Sequence, residues 1–265
     1  MKPREIVKSR ANPVYKRLLS ARERARDGRG QLLLEGPKLV GEAVAAGLAL
    51  ELLACSERTS DSPLARKLEA AGVPLRTFSE PLLSSLSEAE TSQGVLAIAP
   101  APRFEEAVVL GGVPLLLVAC GIQNPGNLGG LLRTAEAAGA TGALLTKGCA
   151  DPFSWKSLRG SMGSALRLPH RGGLTVDEVL ALLRAQRIRL VAADARAAVR
   201  YDAADLRAPI AIAVGSEAAG LPEPLAEGAD VRVAIPIREP VESLNVGVAA
   251  GVLFFEAARQ REARA

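Results

Sequence analysis

The sequence predicts an α/β protein of two domains, the second built on a mostly parallel sheet. Three observations carry this prediction. Apolar, β-rich runs alternate with helical patterns along almost the whole chain, as they do where helices cover sheets. Two of the runs, Val113–Cys120 and Ile210–Val214, are continuously apolar, which suits strands buried on both faces of a parallel sheet. Between the halves, Pro100-Ala101-Pro102 and the Glu-rich stretch after it break both patterns, so a linker is placed over 101–112. With 265 residues, the chain is long enough to bury two separate cores.

The first thirty residues hold ten Lys and Arg against three acids, in a chain of net charge +4. Residues 1–30 therefore read as a basic arm on a near-neutral body, the footprint of a polyanion binder. A solvated, arginine-rich helix is the alternative. Gln31–Leu34 then reads as a strand, and Pro37 opens a helix with Leu39, Val40, Ala43 and Val44 on one face. Strands follow at Leu50–Cys55, Val73–Phe78 and Gly94–Ala99, separated by helices at 62–71 and 81–87. Residues 31–100 thus form a small strand–helix alternating domain.

The second domain, 113–265, opens on the Val113–Cys120 strand. Asn127 is placed as N-cap of a helix that carries Leu128, Leu131, Leu132 and Ala135 inward and Arg133 on the opposite side. Gly142–Thr146 is a strand. Lys156–Ser164 is helix-like, with Arg159 among small hydroxyl residues; it suits a phosphate backbone or ordinary close packing equally. Val176–Leu183 is a helix and Ile188–Ala193 a strand. Ile210–Val214 runs directly into Gly215-Ser216-Glu217-Ala-Ala-Gly220, and Val231–Ile235 is the last strand. Pro236 and Pro240 make 236–242 a loop. Ser243 is then read as the N-cap of a helix, Leu244–Phe255, that is apolar nearly all round. Such a helix must be covered, by the core or by a second subunit. Polar residues at the mouth of a buried helix suggest a site, although simple capping accounts for Ser243 as well.

Several chemistries are disfavoured. The single histidine, His170, lies in a Pro-His-Arg-Gly-Gly segment read as a loop, so Ser-His-Asp and Cys-His mechanisms would rest on it alone. Cys55, Cys120 and Cys149 are too widely spaced for a disulfide framework, and no His/Cys cluster suggests a metal. The charged N-terminus and the lack of a long apolar run point to a soluble, cytoplasmic protein without a membrane partner. No strand is followed by G-x-G-x-x-G, which argues against a dinucleotide site and a nucleotide-binding metabolic enzyme. Ligands of parallel sheets bind beyond the strand carboxyl ends. Three loops fit: Asn124–Arg133, Gly215–Gly220 and Ile235–Asn245.

These loops, in this order, resemble the motifs of the SpoU (TrmH-type) family of RNA 2'-O-ribose methyltransferases in the SPOUT superfamily. Asn127-Leu-Gly129-Gly-Leu-Leu-Arg133 is similar to its N-x-G-x-x-x-R pattern. Gly215-Ser-Glu217-Ala-Ala-Gly220 resembles its Gly-x-Glu-x-x-Gly loop, and Ile235-Pro236 with Ser243-Leu244-Asn245-Val-Gly-Val-Ala249 its final element. The first half looks like the family's ribosomal-protein L30e-like substrate-binding domain, through Ser9-Arg-Ala-Asn12-Pro13 and Leu32-Leu-Leu-Glu35-Gly36. The resemblance implies a trefoil-knotted α/β methyltransferase domain that uses S-adenosylmethionine and dimerises through its last helix. It assigns Gly215, Ser216, Gly220, Ile235 and Leu244 to the cofactor. Arg133 becomes the activating residue, with Asn127, Glu217, Ser243 and Asn245 arranging the site. The implied substrate is structured RNA, ribosomal RNA before tRNA; a non-catalytic RNA-binding factor of the same fold is the alternative.

Overall fold

The computed structural model describes residues 5–26, 30–216 and 219–262. The chain divides into two compact units. The first comprises residues up to Pro102 together with Phe153–Leu166, and the second Arg103–Pro152 with the chain from Arg167 on.

In the first unit, β1 (Ile6–Val7), α1 (Pro13–Arg26), β2 (Gln31–Glu35), α2 (Pro37–Ala45), β3 (Leu52–Ser56), α3 (Pro63–Ala70), β4 (Leu75–Phe78), α4 (Glu80–Ser84) and β5 (Val95–Pro100) follow one another. The sheet order is β1-β4-β3-β5-β2. The basic stretch is not an arm over its described residues 5–26. Ile6 and Val7 pair with Thr77 and Phe78, and α1 buries Tyr15, Leu18 and Ala21. Apolar residues spaced three apart give α1 a core face, and Lys16 and Arg17 are exposed beside it; a count of charges hides that spacing. Residues 1–4 and 27–29 lie outside the described residues. Strand β5 runs antiparallel to both β2 and β3. Helix α4 has only five residues, too few to cross back over the sheet, so β5 starts at the edge where β4 ends.

The second unit contributes α5 (Glu106–Val109), β6 (Leu115–Cys120), α6 (Pro125–Ala137) and β7 (Gly142–Thr146). The chain then makes α7 (Trp155–Ser161), which belongs to the first unit, and α8 (Ser164–Arg167). It continues through β8 (His170–Leu174), α9 (Val176–Ala185), β9 (Arg189–Ala193), β10 (Val199–Arg200), β11 (Ile210–Gly215), α10 (Glu223–Glu227), β12 (Val231–Ala234) and α11 (Val246–Glu262). The linker stretch 101–112 thus contains α5, whose Val109 is buried. The seven strands run β10-β12-β9-β11-β6-β7-β8 and every pair is parallel. Alternate residues of β6 and β11 face opposite ways. Leu116, Val118, Ala211 and Ala213 join Val179 and Leu183 of α9 in one core. The other face is covered by α6 and α11, which pack on each other and, for α11, on β11.

Within the first unit, the Glu35 carboxylate at the end of β2 accepts the indole N–H of Trp155 at 2.8 Å and the backbone N–H of Glu88 at 3.1 Å. It also accepts the Ser87 hydroxyl. One side chain therefore ties α7 and the 87–88 turn to β2.

His170 is not in a loop; it opens β8 and is buried, its ring centroid 5.1 Å from that of Phe104. Its Nδ1 lies 2.9 Å from the Leu168 carbonyl oxygen. Burial holds its pKa below the ordinary 6.5, opposed in part by the Leu168 bond. As the pH falls through 6.5, the unfolded chain takes up this proton first, so stability decreases from there down to the folded pKa. Denaturant unfolding at pH 7.5 and pH 5.5 should show this loss, and His170→Gln should remove that part of the slope. An equal slope in the variant would assign the dependence to other groups.

Candidate active site

Because the strands of the second unit are all parallel, their carboxyl ends meet at one edge. There the ends of β9, β11 and β12 enclose a cavity of about 190 Å³. Its lining contains Gly215, Ser216, Gly220, Ile235 and Leu244, all five residues assigned to the cofactor, together with Ser243. A second cavity of about 380 Å³, lined by Cys120, Gly121, Thr146, Lys147 and Thr175 among others, lies across the same Gly215–Gly220 loop. Burial, and then the neighbouring Cys149, push the Cys120 thiol up to about 12. Cys120 is a wall of that cavity and not a nucleophile.

The Gly215–Gly220 loop is held by its own backbone. Gly220 N–H donates to the Ser216 carbonyl at 2.8 Å, and Ala219 N–H to the Ser216 hydroxyl at 3.1 Å. A Cβ on Gly215 would stand 2.0 Å from the Gly220 carbonyl oxygen and 2.4 Å from the Leu221 nitrogen. Only glycine fits there, and Gly220 itself has a φ of 67°. Glu217 falls outside the described residues.

Two capping assignments change. Asn124, not Asn127, caps α6: its Oδ1 accepts from the Gly126 and Asn127 N–H groups at 2.8 and 3.1 Å. Pro125 has no N–H to satisfy and takes the first helical position, which moves Asn127 into the first turn. Likewise, α11 begins at Val246, and Asn245 rather than Ser243 receives the Gly247 N–H, at 2.9 Å. Ser243 is exposed and lines the cavity instead.

Arg133 is exposed on α6, opposite the buried Leu131. Its neighbour one turn on, Glu136, is gripped by both arms of Arg167 at 2.9 Å each. Arg133, Asn127 and Asn245 are not among the cavity's lining residues. Helix α6, which bears Arg133, packs on α11, whose opening residues Val246 and Ala249 line the cavity. One polar lining residue escaped the sequence analysis. Asp194 directly follows β9, and its carboxylate accepts the Arg196 N–H at 2.9 Å. An acid immediately beyond an apolar strand was the available signal.

The walls are apolar (Val214, Leu221, Ile235, Leu244), with Ser216, Ser243 and Asp194 at the polar side. That combination fits a ligand with a flat base and a polar, cationic tail. The enclosed volume is below the ~300–1,000 Å³ of sites that engulf a ligand, so it takes part of such a molecule.

Residues 114–255 match the model of the SpoU rRNA Methylase family, and residues 13–97 that of an MRM3-like substrate binding domain. The chain belongs to the SpoU rRNA methylase family. A Bacillus subtilis 23S rRNA guanosine 2'-O-methyltransferase is 33% identical over 259 residues, spanning 96% of this chain and 98% of that one. The crystal structure of an RNA 2'-O ribose methyltransferase superposes with a TM-score of 0.84 at 37% identity, covering 97% of this chain and 100% of that one. A Sinorhizobium meliloti rRNA methyltransferase solved with bound S-adenosylmethionine gives a TM-score of 0.83 at 30% identity, with 96% and 97% covered. The SpoU fold accounts for the parallel sheet and for the loops gathered at its edge.

In a SpoU protein with this geometry, Gly215→Ala should weaken S-adenosylmethionine binding by about five- to a hundred-fold, from roughly 1–3 kcal/mol of overpacking. Calorimetry beside a circular dichroism spectrum tests it. Unchanged affinity would mean the loop can open without consequence for the ligand.

Proposed function

We propose that this protein transfers a methyl group from S-adenosylmethionine to the 2'-oxygen of a ribose in structured RNA, and that the RNA is ribosomal. The observation that carries the reading is the gathering of Gly215, Ser216, Gly220, Ile235, Ser243 and Leu244 around one cavity in a SpoU chain. Bound there, S-adenosylmethionine supplies an electrophilic methyl group on a sulfonium. The apolar walls hold the base, and Asp194 and Ser243 face its polar parts. The transfer would break the sulfonium's sulfur–methyl bond as the bond to the ribose oxygen forms, leaving a neutral thioether, and the ribose oxygen would give up its proton. Arg133 is unsuited as a base, since a guanidinium stays protonated. It grips an RNA phosphate and stabilises charge developing on the 2'-oxygen, while a phosphate or water takes the proton. Asn127, Glu217 and Asn245 arrange this site.

The first unit, with its match to a substrate-binding domain, brings in the RNA. By resemblance to the family, we further propose that the second domain is trefoil-knotted, that the protein works in the cytoplasm and that it is a homodimer. Support for the dimer comes from α11, which buries Ala250, Leu253 and Phe254 but leaves Val248 54% and Phe255 53% exposed. These two are seven residues apart, on one face of the helix.

Arg133→Ala should lower turnover by at least about a hundred-fold while S-adenosylmethionine still binds, because contacts made only in the transition state act on rate. Arg133→Lys should restore little, since one ammonium lacks the two-pronged fork. The product should resist alkaline cleavage at one ribose, with the base unmodified. Methylation by the alanine variant at the original rate would make Arg133 structural. For the dimer, Phe255→Glu should give monomers in sedimentation. A wild-type chain that sediments as a monomer would rule the interface out.

A further inference from the structure

Within the first unit lies a cavity of about 650 Å³ that shares no residue with the one at the ends of β9, β11 and β12. Its volume is that of a small-molecule site. Leu39, Leu158 and Trp155, the chain's only tryptophan, form its apolar side. The Trp155 ring is fixed at its N–H by Glu35, 2.8 Å away, and the guanidinium carbon of Arg159 stands 5.3 Å from the ring centroid. A pinned indole with a guanidinium over its face offers a planar ring the guanidinium plane to stack on, the way proteins hold unpaired bases of RNA.

The polar lining comprises the carboxylates of Glu35, Glu42, Glu88 and Glu90 together with Lys38, Thr91 and Gln93, so that acceptors predominate. Carboxylates repel phosphate and accept hydrogen bonds without donating. Among the four RNA bases, guanine offers two adjacent N–H donors on its Watson–Crick edge, from N1 and N2, and so matches one carboxylate with two bonds. Adenine, cytosine and uracil offer a carboxylate no such pair. We propose that this cavity binds an unpaired guanine of the RNA substrate, stacked on the Trp155–Arg159 platform with its Watson–Crick edge on Glu42 and Glu88. Lys38 then faces the backbone phosphates. The proposal rests on RNA being the substrate and adds a base-reading site to the proposed reaction.

Trp155 reports directly on its own cavity. The full-length protein is titrated with a short single-stranded oligouridine carrying one central guanosine, and tryptophan fluorescence is followed. The guanosine oligomer should quench saturably. Replacing guanosine by inosine, which lacks the N2 donor, should weaken binding about ten-fold, as for one lost bond to a charged group. Pure oligouridine should not quench. The double variant Glu42→Gln, Glu88→Gln should lose the preference for guanosine over inosine, and Arg159→Ala should weaken binding of both. Equal quenching by all three oligomers, no quenching by any, or an unchanged preference in the double variant would each overturn the proposal. Absent quenching with ribosomal RNA still methylated would remove this site and leave the reaction standing. Guanosine-specific quenching with no methyl transfer would do the reverse.

Discussion

The second unit depends on one constraint: a seven-stranded sheet in which all pairs are parallel must be covered on both faces. Every residue of β6 is buried, and β11 is buried through Val214. Each fully buried Leu, Ile or Val there contributes roughly 1.5–3 kcal/mol relative to exposure. The same parallelism sends every strand's carboxyl end to one edge. Loops that are far apart in sequence, after β9, β11 and β12, have no other place to turn. The cavity is a consequence of strand direction before it is a matter of particular side chains.

Stability and chemistry are divided along that edge. The strands carry the apolar contacts, whereas the loops carry glycine, serine and aspartate held by short backbone bonds. The backbone of Gly220 and Leu221 lies so close to Gly215 that a single methyl there would strike it. Helix α11 joins the two regions: its middle packs on α6, which bears Arg133, and its first turn lines the cavity. One turn beyond Arg133 on α6, the Glu136 carboxylate holds Arg167 through two bonds.

The first unit solves a different problem, with a mixed sheet and short helices. A single carboxylate, Glu35, accepts bonds from Ser87, Glu88 and Trp155 and so orders a turn and a helix that come from opposite halves of the chain. Bonds to a charged acceptor are worth about 1.5–3 kcal/mol each when formed away from water. The cost of ordering a tryptophan beside a cavity is offset in this way.

The sequence alone determined the alternation of strands and helices, the continuously apolar central strands and the three loops that would meet. Each of these is written in local periodicity, and each follows from burial of an apolar face. It also determined the glycines at 215 and 220, since those positions tolerate no side chain or a rare φ. What it could not decide is which of several equivalent local choices wins. Asn124 and Asn127 can both cap a helix, as can Ser243 and Asn245, and only the backbone path set by Pro125 and by the 236–242 loop selects between them. The burial of Tyr15 and Leu18 beneath a basic stretch, and the antiparallel turn of β5, depend on partners distant in the chain. So do the entry of Asp194 into the cavity and the joining of Trp155 to the first unit. Tertiary structure decided these because the free energy that settles them comes from contacts between segments, and no window of sequence contains both sides of such a contact.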